Sequence, residues 1–136
     1  MTPIFRLFGG VALACALSML GAASGVLKPL PLSAACQKAG YSALQDTRGT
    51  LRVLRYLRTV PDNSQRLTQY YDAAGRLQSV KASASGFAGL LYDLSARFDA
   101  QGKVLGETGY RSKLYRGSLK TLLRDAGAVR AGRCDP

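Results

Sequence analysis

Residues 70–77 read YYDAAGRL, and residues 98–104 repeat the pattern as FDAQGKV. In both stretches an aspartate is followed three residues later by a glycine, at Asp72 and Gly75 and at Asp99 and Gly102. An aspartate at the first turn position accepts hydrogen bonds from the backbone N–H groups after it, and the glycine supplies a positive φ. A type I turn closed by a left-handed glycine commonly joins two antiparallel strands. The two stretches therefore predict two β-hairpins.

The alternation of apolar and polar residues predicts the strands around these turns. Residues 90–98 are the clearest case, because every second residue is apolar, as in a half-buried antiparallel strand. Residues 50–60 (TLRVLRYLRTV) have leucine and arginine at every third position, a period between those of helix and strand. Their β-branched residues and the turn at 61–64 favour a strand, with a helix left open. Further strands are predicted at residues 66–71, 76–83 and 103–110, with a loop at 83–86.

Two short helices complete the expected fold. Ser33 is a candidate N-cap for a helix that reaches Leu44, and Asp46 begins a further turn. Ser118 is a candidate cap for a second helix, with Gly127 beyond its end. The sequence thus predicts a mainly β (or α+β) fold, an antiparallel meander of about five strands with short N- and C-terminal helices. A sheet of this size must bury one face to be stable.

The turn sequences also resemble a known repeat. Residues 71–77, YDAAGRL, are similar to the tyrosine–aspartate repeat (YDxxGRL) of the large secreted Rhs-type β-solenoid shell proteins, and residues 98–104 are a looser copy. The resemblance covers two turns and their flanks, whereas such shells contain many more repeats. It implies a β-hairpin at each turn and does not imply an encapsulating shell. Otherwise the chain is typical of a small secreted bacterial protein.

The N-terminal region predicts export. Residues 7–27 are uncharged and follow Arg6, and small residues precede a candidate cleavage site after Ala23. An uncleaved membrane anchor is the alternative, because the run is long enough to span a bilayer. We expect a signal peptide at 1–23, a proline-containing spacer at 24–32 and a single β-rich domain at 33–136. The predicted location is periplasmic, extracellular or associated with the cell envelope.

The cysteines support the same interpretation. Removal of the signal peptide leaves Cys36 and Cys134, near the two ends of the mature chain. Two cysteines in an oxidising compartment most simply form a disulfide. Two unpaired thiols are the alternative.

The composition gives little support to an enzyme. The chain has no histidine, which excludes Ser-His-Asp triads and histidine-based metal sites. A carboxylate pair such as Asp93 with Glu107 could still assemble on neighbouring strands, although a solvated face is the simpler interpretation. We predict no cofactor, no metal site and no catalytic residues.

The positive feature of the sequence is its charge. The formal net charge is +11, and the densest group of cations is Arg52, Arg55 and Arg58. These arginines are the candidate anion contacts, because guanidinium groups bind phosphate and carboxylate in a bidentate manner. On a strand Arg55 points away from the other two. The expected partner is an anionic envelope surface or an acidic protein. Nucleic acid is a possible partner without a motif, and a membrane only if the N-terminal segment is uncleaved.

Two functional hypotheses follow. The first is an exported, basic, disulfide-closed β-rich module that binds an anionic envelope component or a partner protein. The second is a structural accessory subunit that pairs with its partner through an exposed sheet edge. Salt dependence separates them, because only the first relies on charge.

Overall fold

The computed structural model describes residues 25–134, so the predicted signal peptide lies outside the described residues. These residues form one antiparallel meander sheet of seven strands, each paired with its neighbours in sequence. The strands are β1 (Lys28–Pro29), β2 (Tyr41–Gln45), β3 (Leu51–Val60), β4 (Asn63–Tyr71), β5 (Leu77–Gly86), β6 (Gly89–Phe98) and β7 (Val104–Arg111). The helices are α1 (Ala34–Ala39) and α2 (Ala126–Arg130), with a 3₁₀ turn at Leu119–Thr121. The predicted mainly β meander with short helices near both ends is confirmed.

The N-terminal helix is shorter than the sequence predicted. It ends at Ala39 rather than at Leu44, because Gly40 adopts a left-handed φ of 104° and starts the chain back along the sheet. The residues that follow form β2, in which Tyr41 and Ala43 are buried. Pairing with β3 satisfies the backbone of this segment, so tertiary contacts override the local helical pattern.

Two further sequence expectations were wrong. Residues 83–86 are not a loop, since β5 continues to Gly86 and only Phe87 and Ala88 form the turn to β6. The helix expected after Ser118 is limited to the 3₁₀ turn. A separate helix, α2, begins at Ala126 and is capped by Asp125, whose Oδ1 accepts a hydrogen bond from the Ala128 N–H at 3.1 Å.

Both predicted hairpins form, and a third of the same kind joins β2 to β3. In the first, Asp72 Oδ1 accepts hydrogen bonds from the N–H groups two and four residues later, both at 2.9 Å. Asp46 and Asp99 repeat these contacts at 2.8–3.0 Å. Each turn ends in a glycine with φ of 80° or 81°. In an antiparallel meander every second connection lies at the same end of the sheet, so these three turns share one end. We call this end the turn end.

The turn of Asp72 predicts a pH dependence of stability. The backbone N–H of Arg76 is the main cause that holds the pKa of Asp72 below its usual range, with the Ala74 N–H and the Arg76 side chain contributing. A lowered folded-state pKa means that this stabilisation is present above about pH 4 and is lost as the pH falls through the folded-state pKa. Asp72→Asn keeps the acceptor oxygen but cannot be protonated. We expect thermal unfolding between about pH 7 and pH 3 to show a smaller loss of Tm in the variant; equal losses would contradict this role.

The core lies between one face of the sheet and the C-terminal segment. Gln69 is the one polar residue among the described residues that is buried there, at 1% exposure. Its side-chain amide pairs with the backbone of Arg124: Nε2 donates to the carbonyl at 3.1 Å, and Oε1 accepts from the N–H at 2.6 Å. The Arg124 guanidinium lies 4.3 Å from the ring centre of Tyr56. These contacts bind the C-terminal segment to the sheet.

A disulfide between Cys36 and Cys134 closes the structure, as the sequence predicts.

Strand pairing begins before residue 33, the predicted start of the domain. The Leu30 N–H donates to the Ala43 carbonyl at 2.9 Å, and Leu30 packs on the core. The predicted spacer is thus partly incorporated into the sheet. Within residues 25–134, no helix has the length and apolar character needed to cross a membrane.

Candidate anion-binding face

The sheet face opposite the core is left uncovered by the described residues, because both helices and the C-terminal segment pack on the core. Side chains alternate between the two faces along each strand. We call this surface the open face. Its central residues are Val53, Arg55 and Leu57 (β3), Arg66, Thr68 and Tyr70 (β4), Ser79, Lys81 and Ser83 (β5), Asp93, Ser95 and Arg97 (β6), and Gly106, Thr108 and Tyr110 (β7).

The open face is basic. Among these residues the charged side chains are four cations and one acid, and all five are exposed: Arg55, Arg66, Lys81, Arg97 and Asp93. None of the four cations forms an ion pair with an acidic residue that the structure describes. The ion pairs that do form use acids elsewhere, at Asp46, Asp72 and Glu107. The cations of the open face are therefore available to a ligand.

A depression of about 310 Å³ lies on this face across β5, β6 and β7. Gly106 contributes no side chain to the depression, and a Cβ at this position would meet no atom within 4 Å. Its lining includes the cations Lys81 and Arg97 and the hydroxyls of Ser79, Ser95 and Thr108. Ammonium, guanidinium and hydroxyl groups all donate hydrogen bonds, so the lining suits the oxygens of a phosphate or carboxylate.

The structure does not bring the three predicted arginines together. Arg52 is half-buried and structural: its Nε donates to the Tyr71 carbonyl at 2.9 Å, and Nη1 lies 3.7 Å from Asp46 Oδ2. Arg55 lies on the open face and is exposed. Arg58 is exposed on the other face, in register with Gln65. Of the three, only Arg55 contributes to the basic surface described above.

Sequence reasoning missed the other cations of the open face. The signal that could have found them is the alternation in β5, where residues 79–85 read SVKASAS and small apolar residues alternate with hydroxyls and Lys81. Residues 93–97, DLSAR, continue it on β6. Assigning the apolar positions to the core leaves the hydroxyls and cations on one shared face.

The candidate acid pair is separated by the sheet. Asp93 pairs with Ser83 and lies on the open face. Glu107 pairs with Ala96, a core position, and its Oε1 lies 2.7 Å from Arg111 Nη2. Two carboxylates on opposite faces cannot act on one bond, so this pair does not form a hydrolytic site.

Comparisons with known proteins add no further assignment: no family model, no curated protein and no solved structure matches the chain. Its function is therefore inferred from the chemistry of its own residues. Among residues 25–134, no group of three or more acidic or cysteine side chains could hold a metal ion.

Proposed function

We propose that the protein is an exported binding module that holds an anionic envelope polymer on its open face. The observation that carries this proposal is the charge of an uncovered surface: four exposed, unpaired cations against one acid among the described residues of that face. The disulfide is compatible with an oxidising compartment, where envelope polymers are found.

The geometry of a sheet suits a repeating ligand. Neighbouring strands lie about 4.8 Å apart, so Lys81 on β5 and Arg97 on β6 present their charges at closely spaced positions. Lys81 supplies a compact charge, and Arg97 supplies a planar fork for two oxygens of one group. The depression between them would hold one phosphate or carboxylate, while Arg55 and Arg66 contact further groups of the same polymer.

The test is a binding titration with polyphosphate as the probe, at about 50 mM and about 300 mM salt. We expect the affinity of the wild type to fall at least tenfold at the higher salt, because screening weakens exposed charge pairs. Lys81→Gln combined with Arg97→Gln should weaken binding on the order of tenfold to a hundredfold at low salt. The reason is that each charged hydrogen bond contributes about 1.5–3 kcal/mol, part of which is recovered by water.

A matched control separates this site from net charge. Lys120→Gln with Arg130→Gln removes the same charge from exposed positions on the C-terminal segment, away from the open face. We expect this variant to bind like the wild type. Gly106→Val, which keeps every charge and fills the depression, should also weaken binding without lowering Tm, because valine favours a strand more than glycine does. Equal losses in both charge variants would remove the open face as the site.

A second candidate function, pairing through a sheet edge, is favoured by one observation. β7 is the longer of the two edge strands of the described sheet, and six of its eight residues are exposed. An unpaired edge of this length can accept a partner strand. A complex that persists in high salt and survives the Lys81 and Arg97 substitutions would favour this function. An acidic protein on the open face would instead be displaced by polyphosphate.

A further inference from the structure

Four exposed apolar side chains lie at the end of the sheet opposite the turn end, on separate segments of the chain. Val60 ends β3, Phe87 occupies the turn between β5 and β6, Leu90 is the second residue of β6, and Leu114 follows β7. A Cβ on Gly86 would lie 3.6 Å from Asn63 Oδ1, so the turn between β3 and β4 lies beside the turn between β5 and β6. The Ser112 N–H donates to the Leu91 carbonyl at 2.8 Å, which brings the chain after β7 to the same end. We call Val60, Phe87, Leu90 and Leu114 the apolar tip.

The fold does not require the two most exposed of these side chains. Phe87 is 94% exposed and Leu114 is 76% exposed, so both bury little surface in the described structure. A two-residue hairpin turn normally favours glycine, asparagine or aspartate, and a phenylalanine there has no conformational advantage. Apolar side chains that project singly from separate loops form no pocket for a partner side chain. A fluid apolar phase accepts them without matching shape.

The charges around the apolar tip favour one such phase. Within two residues of a tip residue along the chain lie three cations, Arg58, Lys113 and Arg116, and a single acid, Asp62. The three cations form no ion pair with any acid in the described part of the chain. Apolar residues bordered by Lys and Arg are the combination that binds the boundary between anionic headgroups and acyl chains.

We propose that the apolar tip docks the protein on a membrane surface that contains anionic lipid, with Phe87 and Leu114 entering the headgroup–acyl boundary. Arg58, Lys113 and Arg116 contact the headgroup phosphates. This docking uses a different surface from the open face and does not depend on polymer binding there. The first strand pair of the described chain is Lys28 with Gln45, at the turn end. The apolar tip therefore lies at the opposite end of the sheet from Lys28.

The experiment uses tryptophan as a depth probe, because the chain contains none. Phe87→Trp is mixed with vesicles of phosphatidylcholine alone or of equal parts phosphatidylcholine and phosphatidylglycerol. We expect a blue shift of emission, and quenching by brominated acyl chains, with the anionic vesicles only. Leu105→Trp is the matched control: Leu105 is 63% exposed but lies near the turn end, and it should show neither effect.

Co-sedimentation of the full chain, with its N-terminus established by intact mass, supplies the second measurement. Phe87→Ser with Leu114→Ser should reduce the affinity for anionic vesicles at least tenfold, whereas Leu105→Ser should not. Polyphosphate binding should be unchanged in the tip variant. The polyphosphate titration therefore tests the polymer proposal, and co-sedimentation with vesicles tests the membrane proposal separately. The proposal would be overturned if the tip variant bound vesicles as the wild type does. It would also be overturned if the blue shift of Phe87→Trp required a second copy of the chain or another protein rather than lipid.

Discussion

Removal of the cross-link between Cys36 and Cys134 should lower the free energy of unfolding by on the order of 4 kcal/mol. The disulfide joins residues 98 apart in sequence and so spans nearly all of the described chain. In the chain-entropy model a closed loop of about 100 residues is worth about 4.7 kcal/mol, because the cross-link restricts the unfolded ensemble. The same bond holds α1 beside the C-terminal segment. Chemical denaturation of the Cys36→Ala, Cys134→Ala variant measures the loss.

A single substitution separates the cross-link from core packing. Cys36 is fully buried, so its replacement also removes sulfur from the core, whereas Cys134 is only partly buried. Cys134→Ser alone should therefore produce most of the loss, and Cys36→Ala should add about 1 kcal/mol or more for the cavity. A reducing agent should bring the wild type to the stability of Cys134→Ser and leave that variant unchanged. Stability of Cys134→Ser within about 1 kcal/mol of the wild type would show that the bond constrains little.

Local chemistry made the hairpins and the strand pattern predictable. Asp72 and Asp99 satisfy their turns with their own carboxylates, so nothing distant is needed to specify them. The alternation over residues 90–98 was equally informative, and β6 (Gly89–Phe98) matches it closely. Residues 83–86 misled because serine and glycine are typical of loops. There, Ala84 is buried opposite Tyr92 of β6, and pairing on both sides keeps the segment in the sheet.

The alternation along each strand could have placed the cations on one face, but the depression could not be predicted in the same way, because it depends on the register between strands. Lys81 lies opposite Ser95, and Arg97 lies opposite Gly106, so the depression requires residues of three strands. Arginine density along the chain pointed instead to residues 52–58. A bulge near the start of β3 and the alternation of its side chains distribute those arginines to different places.

Gly40→Ala should destabilise the protein by on the order of 3 kcal/mol or more. Gly40 has a φ of 104°, which costs a residue with a Cβ about 1–2 kcal/mol. A Cβ there would also lie 2.0 Å from the Leu57 carbonyl oxygen, so the backbone of β3 must move away. That movement breaks the hydrogen bond in which the Leu57 N–H donates to the Gly40 carbonyl at 3.0 Å. Thermal and chemical unfolding measure the loss.

Gly89→Ala provides a control that isolates the close approach. Gly89 has the same φ of 104°, but a Cβ there would meet no atom within 4 Å. It should therefore cost only the conformational penalty of about 1–2 kcal/mol. The difference between the two variants measures how tightly the end of α1 is held against β3. Similar losses of unfolding free energy in the two variants would mean that β3 can move away at Leu57 at little cost. The hydrogen bond between Leu57 and Gly40 would then contribute little to stability.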